Sequence, residues 1–200
     1  MNLPEPIKKV IEQLSELPSI GPRQATRLAF YLINQKKTSI HSLATNINNL
    51  QKIKLCHRCF FIHQNAGELC DICGDSSRRK DIVAIVEKET DLISIENTRK
   101  FIGTYLIIGP VARTGMLSDT QKIRIEHLKI IIQKELKGQA EEIILAFNPT
   151  GNGDFNASLI NQELKPLAKK ISRLGRGLPT GGEIEFADEE TLGEALLRRN

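Results

Sequence analysis

The chain has no tryptophan, two tyrosines and only 4% aromatic residues. A platform that stacks successive bases of a single strand is built from aromatic rings, so that mode of binding is poorly supplied. Long apolar runs are missing as well. The longest resemble Ile82–Val86 and Leu106–Ile108, far short of the ~20 residues that cross a bilayer, so no membrane partner is expected. The start, Met1 to Pro6, has no apolar core for an export signal, and the expected location is the cytoplasm. No Gly-Lys-Ser/Thr exists for a P-loop, and Gly151-Asn152-Gly153 lacks the third glycine of a dinucleotide fingerprint.

Cysteine is scarce but concentrated. All four lie within eighteen residues, as Cys56-His57-Arg58-Cys59 and, ten residues on, Cys70-Asp71-Ile72-Cys73. Two Cys-x-x-Cys knuckles supply the four thiolates of a tetrahedral Zn²⁺ with none left over. Two disulfides are the main rival, disfavoured where thiols are kept reduced. A thioredoxin-like redox motif needs only one pair. One Zn²⁺ per chain on Cys56, Cys59, Cys70 and Cys73 is expected to be structural, because four thiolates leave no open position for a substrate. His57 and His63 are expected at the surface or behind the ligands.

The charge is unevenly divided. Residues 1–80 carry twelve Lys/Arg against six Asp/Glu, and the remainder carries sixteen against eighteen, which together make the net +4. Thiolate–zinc binding lowers the first half to about +4, still basic. A polyanion-facing N-terminal part and a near-neutral remainder follow, with a merely solvated basic face as the alternative.

Within that basic part, Ile7, Val10, Ile11 and Leu14 repeat at helical spacing and predict a helix over 6–17. Leu17-Pro18-Ser19-Ile20-Gly21-Pro22 breaks it, with Gly21 allowing a tight backbone and Pro22 suited to the first turn of a second helix over 23–34. Ala25, Leu28, Ala29 and Leu32 face inward there. A short turn opening a helix N-terminus can cradle phosphate, and Arg23 and Arg27, four apart, share one face beside it. The string from Leu17 to Ala25 resembles a helix-hairpin-helix motif, which binds DNA without reading sequence. Ser19 replaces that motif's usual first glycine. The alternative is a helical hairpin used only for packing or dimerisation. A further helix is predicted over 39–46.

Beyond the knuckles the pattern changes. Ile82–Val86 is a β-branched run suited to a strand covered on both faces. A helix over 92–98, a strand over 105–108, a helix over 118–137 and a strand over 142–147 follow. A last helix is predicted over 157–173, kinked at Pro166, with its Lys169–Arg176 stretch either touching nucleic acid or forming a solvated helix face. Alternating strands and helices predict a parallel sheet, whose ligands gather beyond the strands' carboxyl ends. Glu87 and Asp154 lie near such ends. This part resembles a Toprim domain, in which a glutamate follows the first strand and an Asp-x-Asp follows a later one. Glu87 matches the glutamate, whereas Asn148 and Thr150 stand after the third strand with Asp154 further on. So few carboxylates hold Mg²⁺ poorly, and no catalytic residue is assigned.

The order of these motifs, closed by Gly177-Leu178-Pro179-Thr180-Gly181-Gly182 and Ala187-Asp188-Glu189, resembles the RecR family of bacterial recombination mediators over the full chain. The resemblance implies a helix-hairpin-helix segment over 1–53, a four-cysteine zinc finger over 54–80, a Toprim-like α/β domain over 81–175 and a C-terminal segment over 176–200. It implies a non-enzymatic protein of DNA repair and recombination, cytoplasmic and nucleoid-associated. Such a protein forms a homo-oligomer (dimer or ring-shaped tetramer), clamps DNA, and works with RecO-like and RecF-like partners to load RecA on SSB-coated strands. Asn152, where the family has a glutamate, and the Val111–Met116 loop depart from its pattern. Glu87 and Asp154 are then a partner-binding surface or a residual acidic site. Two alternatives stand beside this reading: a metal-dependent Toprim nuclease or primase-like enzyme using Glu87 and Asp154, and a zinc-bearing regulator with sequence preference. The regulator lacks an evident recognition helix.

Overall fold

The computed structural model describes residues 3–111, 116–197 and 199, so most of the Val111–Met116 loop (112–115) lies outside the described residues. The chain divides into two compact units, Met1–Ile53 and Lys54–Asn200.

In the first unit, α1 (Glu5–Ser15) and α2 (Pro22–Ile33) pack as a hairpin, followed by α3 (Lys37–Asn49). The α1 stripe Ile7, Val10, Ile11 and Leu14 is half-buried, and only Ala25 and Ala29 of α2 are fully buried. The turn's left-handed residue is Ser19, at φ +66°. Gly21 has an ordinary φ of −82° as the N-cap of α2, so the conformational demand expected of Gly21 falls on Ser19, a polar residue that tolerates it less readily than glycine. On α3, Ile40, Leu43 and Ile47 and then Leu50 stay exposed at helical spacing.

The second unit begins with a two-stranded ribbon, β1 (Lys54–Leu55) against β2 (Ile62–His63), and a single helical turn, α4 (Asp71–Gly74). A four-stranded sheet follows from β3 (Arg79–Val86), β4 (Gly103–Ile107), β5 (Ala140–Ala146) and β6 (Ala168–Arg173), joined by α5 (Glu89–Asn97), α6 (Asp119–Glu135) and α7 (Gly151–Leu164), with α8 (Glu189–Leu197) at the end. The strands run parallel in the order β4-β3-β5-β6. The order reverses between β3 and β5, and that switch point is where open α/β sheets bind ligands.

Strand alternation sorts the core into two faces. Val83, Ile85, Ile143 and Leu145 meet Ile125, Leu128 and Ile132 of α6 and Ala157, Ile160 and Leu164 of α7. Ala84, Val86, Tyr105 and Ile107 meet Leu92 of α5 and all four cysteines. The helix α6 starts at a reciprocal cap: Ser118 Oγ accepts from Gln121 N–H at 3.3 Å and Gln121 Oε1 accepts from Ser118 N–H at 2.8 Å.

The helix expected over 157–173 is a correction. It starts earlier, because Thr150 Oγ1 accepts from Gly153 N–H at 3.2 Å and caps α7. It also ends at Leu164: Pro166 forces a 3₁₀ turn, Lys165–Leu167, and the chain continues as β6 rather than as a kinked helix. Lys169 and Lys170 therefore line an edge strand and pair across it with Glu141 at 2.7 Å and Glu142 at 2.9 Å.

Candidate functional site

Two sites emerge in the second unit, and one helix terminus in the first. In the candidate metal centre, each knuckle is shaped by local backbone bonds. Cys56 N–H donates to Phe61 O at 2.7 Å and Phe60 N–H to Cys56 O at 3.0 Å, with Phe60 held at φ +63° to close the turn. Gly74 N–H closes the second knuckle on Cys70 O at 2.9 Å. All four cysteines are free and buried, and their sulfurs lie within 4.8 Å of one another. Cys59 and Cys70 are 3.5 Å apart, where a disulfide needs about 2.05 Å and a Zn²⁺–sulfur tetrahedron of ~2.3 Å bonds has edges of about 3.8 Å. The donor set therefore fits one zinc ion.

Its electrostatics agree. The Cys59, Cys70 and Cys73 thiols hold Cys56 well below the usual thiol range. Cys59 and Cys73 are pushed up, first by Cys56 and also by burial. Against the opposition of Cys56, the Cys59 and Cys73 thiols bring Cys70 down to about 7. Crowding thus favours part of the set as thiolate and opposes the rest, and a divalent cation is what removes that opposition. Cys70 N–H and Phe61 N–H donate to Cys56 Sγ and Cys59 Sγ, each at 3.4 Å, and orient the ligands. His57 is exposed, edge-on to His127 at 5.4 Å. His63 is buried, with Nδ1 accepting from Asn65 N–H at 3.2 Å.

The knuckles are also built into the sheet. Ile107 N–H on the outer side of β4 donates to Cys59 O at 2.9 Å. Phe60 packs on one face of the core and Phe61 on the other, and Arg124 lies 4.7 Å over the Phe60 ring while donating to Ile107 O at 2.8 Å.

The second site lies at the strand ends. Glu87 follows β3 and Asn148 follows β5, so the switch point brings them together: Asn148 Nδ2 donates to Glu87 Oε2 at 3.4 Å, and Val111 N–H donates to Glu87 Oε1 at 3.3 Å. Asp154, in the first turn of α7, is held by Arg173 at 2.6 Å and by Arg176. Although desolvation opposes it, these two guanidiniums keep the Asp154 carboxyl below the usual range. Gly153 permits the tight turn from β5 into α7, because a Cβ there would stand 2.1 Å from Asn148 O. A divalent cation fits poorly: one candidate carboxylate already has two cationic partners, and the cysteine cluster is the only group of three or more metal-capable side chains among the described residues. Sequence reasoning placed Arg173 at the end of a helix and Arg176 just beyond it, and missed both as partners of Asp154.

Arg23 and Arg27 lie exposed in the first two turns of α2. A Cβ on Gly21 would meet nothing within 4 Å, so the α2 terminus is open to close approach from outside. No helix among the described residues is long and apolar enough to cross a membrane.

Comparison with known proteins matches three family models: the RecR helix-hairpin-helix at residues 7–50, the Toprim domain at 81–175 and the RecR C-terminal region at 177–200. A recombination protein RecR of Thermosynechococcus vestitus is 39% identical over 197 residues, covering 97% of this chain and 94% of its own. One of Roseiflexus castenholzii is 39% identical over 200 residues, covering 98% and 94%. One of Rubrobacter xylanophilus is 37% identical over 196 residues, covering 96% and 95%.

Proposed function

The chain belongs to the RecR family of recombination proteins, and from that membership in a DNA recombination and repair family we propose that it is a non-enzymatic mediator that binds and clamps DNA. The observation that carries the reading is the α1–α2 hairpin, whose left-handed Ser19 turn opens a helix N-terminus flanked by exposed Arg23 and Arg27. Backbone N–H groups and two guanidiniums on one face suit phosphate, which every sequence presents alike. Binding is therefore electrostatic and sequence-tolerant.

One structural Zn²⁺ on Cys56, Cys59, Cys70 and Cys73 holds the knuckles and, through Cys59, the β4 edge. The strand-end residues Glu87 and Asp154 serve a protein partner rather than a metal. Glu87 is the contact for a basic surface, of the kind a RecO-like or RecF-like protein would offer, and Asp154 acts through its arginines. The exposed apolar stripe of Ile40, Leu43, Ile47 and Leu50 supports a homo-oligomer, a dimer or ring-shaped tetramer, which could encircle DNA at the cytoplasmic nucleoid. The Toprim enzyme reading is weaker, because Asp154 lacks freedom to hold Mg²⁺.

The test is a reconstituted loading assay. With a RecO-like partner present, the protein speeds RecA assembly on SSB-coated single strands, and the Arg23→Ala/Arg27→Ala variant does so less. Assembly at the same rate with and without the protein contradicts the mediator role.

A further inference from the structure

The chain after β6 is held in an unusual way. None of the described residues from 174 to 197 is fully buried, and Leu174 is 49% exposed. Glycines at 175 and 177 add no side chain. A segment with so little apolar anchoring needs some other attachment to stay on the sheet.

Its strongest polar attachment is to the strand-end site. Arg173, the last residue of β6, is 2.6 Å from Asp154 Oδ1, and Arg176 meets the same oxygen. Arg176 then reaches Glu190 of α8 at 3.6 Å. The two guanidinium side chains are less exposed, at 30% and 20%, than the carboxylate that joins them, at 40%. Arg176 also forms a wall shared by two cavities of about 380 and 300 Å³. One runs along Asn148, Pro149 and Leu174, the other below Asp188 and Thr191. Beyond the ion pairs, the described residues of this segment are at most half-buried.

We propose that Asp154, Arg173 and Arg176 form an intramolecular lock that fastens the C-terminal segment, residues 174–197, onto the carboxyl ends of the strands. The arginines do for Asp154 what a divalent cation does for a strand-end carboxylate elsewhere: they neutralise it and cross-link it, but with a cation carried by the chain. A partner cation that took Asp154 directly would leave two partly buried guanidiniums without their counter-ion, which is costly. A basic partner therefore meets Glu87 with the lock closed. This last step rests on the strand-end partner reading; the lock itself does not.

Hydrogen exchange on the full-length, zinc-loaded protein tests it. Asp154→Asn and Arg176→Gln should each speed amide exchange across 177–197 by roughly ten-fold or more, the scale of losing a charged hydrogen bond, with β3 and β5 unchanged. The double variant should add little to the larger single effect, because both changes remove one shared ion pair. Added MgCl₂ should leave wild-type exchange as it is. Unchanged exchange in both single variants, fully additive effects, or slower wild-type exchange with Mg²⁺ each overturns the lock. In parallel, Glu87→Gln should weaken binding of a decalysine peptide without altering exchange in 177–197. If peptide binding is indifferent to Glu87→Gln, the partner reading fails while the exchange result still decides the lock.

Discussion

The carbonyl oxygen of Cys59 accepts the backbone N–H of Ile107 at 2.9 Å. A residue of the four-cysteine cluster thereby supplies one hydrogen bond to the outer edge of β4, an edge strand of the sheet. Phe60 and Phe61, next in the chain, pack on opposite faces of that sheet. The four-cysteine knuckles are therefore part of the α/β unit's framework.

One zinc per chain is expected from metal analysis. Cys59→Ser or chelation should expose the Ile107 amide to exchange along with the knuckles, since thiolate–metal binding is what orders the Cys59 loop. Folded, metal-free protein with Ile107 still protected would contradict this.

Two glycines should behave oppositely. Gly153→Ala forces a Cβ to within 2.1 Å of Asn148 O and should cost about 3 kcal/mol in denaturant unfolding. Gly21→Ala meets nothing within 4 Å and should change stability by no more than about 0.5 kcal/mol, yet it should weaken DNA binding if phosphate approaches the α2 terminus. Equal stability losses at the two positions would refute the assignment.

A pH effect follows from Glu96. Burial opposes its ionisation, but Arg78, bonded at 2.8 Å, and Tyr105, at 2.6 Å, hold its carboxyl below the usual range. A depressed carboxyl contributes stability that is present above its unfolded value near 4.3 and is lost as pH falls through its lower folded value. Glu96→Gln should therefore destabilise the protein at pH 7 by about 2 kcal/mol. The gap from wild type should close on acidification below about pH 4, as read by urea unfolding at each pH.

The strand-end site should be silent in catalysis. Supercoiled, linear and single-stranded DNA incubated with the protein and Mg²⁺ or Mn²⁺ should remain intact, because Asp154 is committed to Arg173 and Arg176. Nicking or primer synthesis that disappears in Glu87→Gln would favour the enzyme.

Much of the architecture was legible because local pattern carried it. The β-branched run Ile82–Val86 and the helical spacing of Ile125, Leu128, Ile131 and Ile132 record burial that the structure repeats, with Ile131 only half-buried. The cysteine spacing likewise announced a cluster. What escaped depended on distant neighbours. Ala168–Arg173 has few apolar residues, and it is a strand only because β5 lies beside it and Glu141 and Glu142 meet its lysines. Placing Arg173 on a helix then hid its meeting with Asp154, since the two meet only once β6 runs parallel to β5. The start of α7 was masked by Gly151-Asn152-Gly153, which reads as a loop until Thr150 is seen to cap it.

The most direct test of DNA binding through the hairpin is affinity measured across a salt series for unrelated duplex and single-stranded sequences. Wild-type affinity should fall steeply with salt and vary little with sequence. Arg23→Ala/Arg27→Ala should weaken binding about equally on every sequence and flatten the log–log salt slope by roughly one unit for each phosphate no longer neutralised. An unchanged slope and affinity in the double variant, or a strong preference for one sequence, would contradict it.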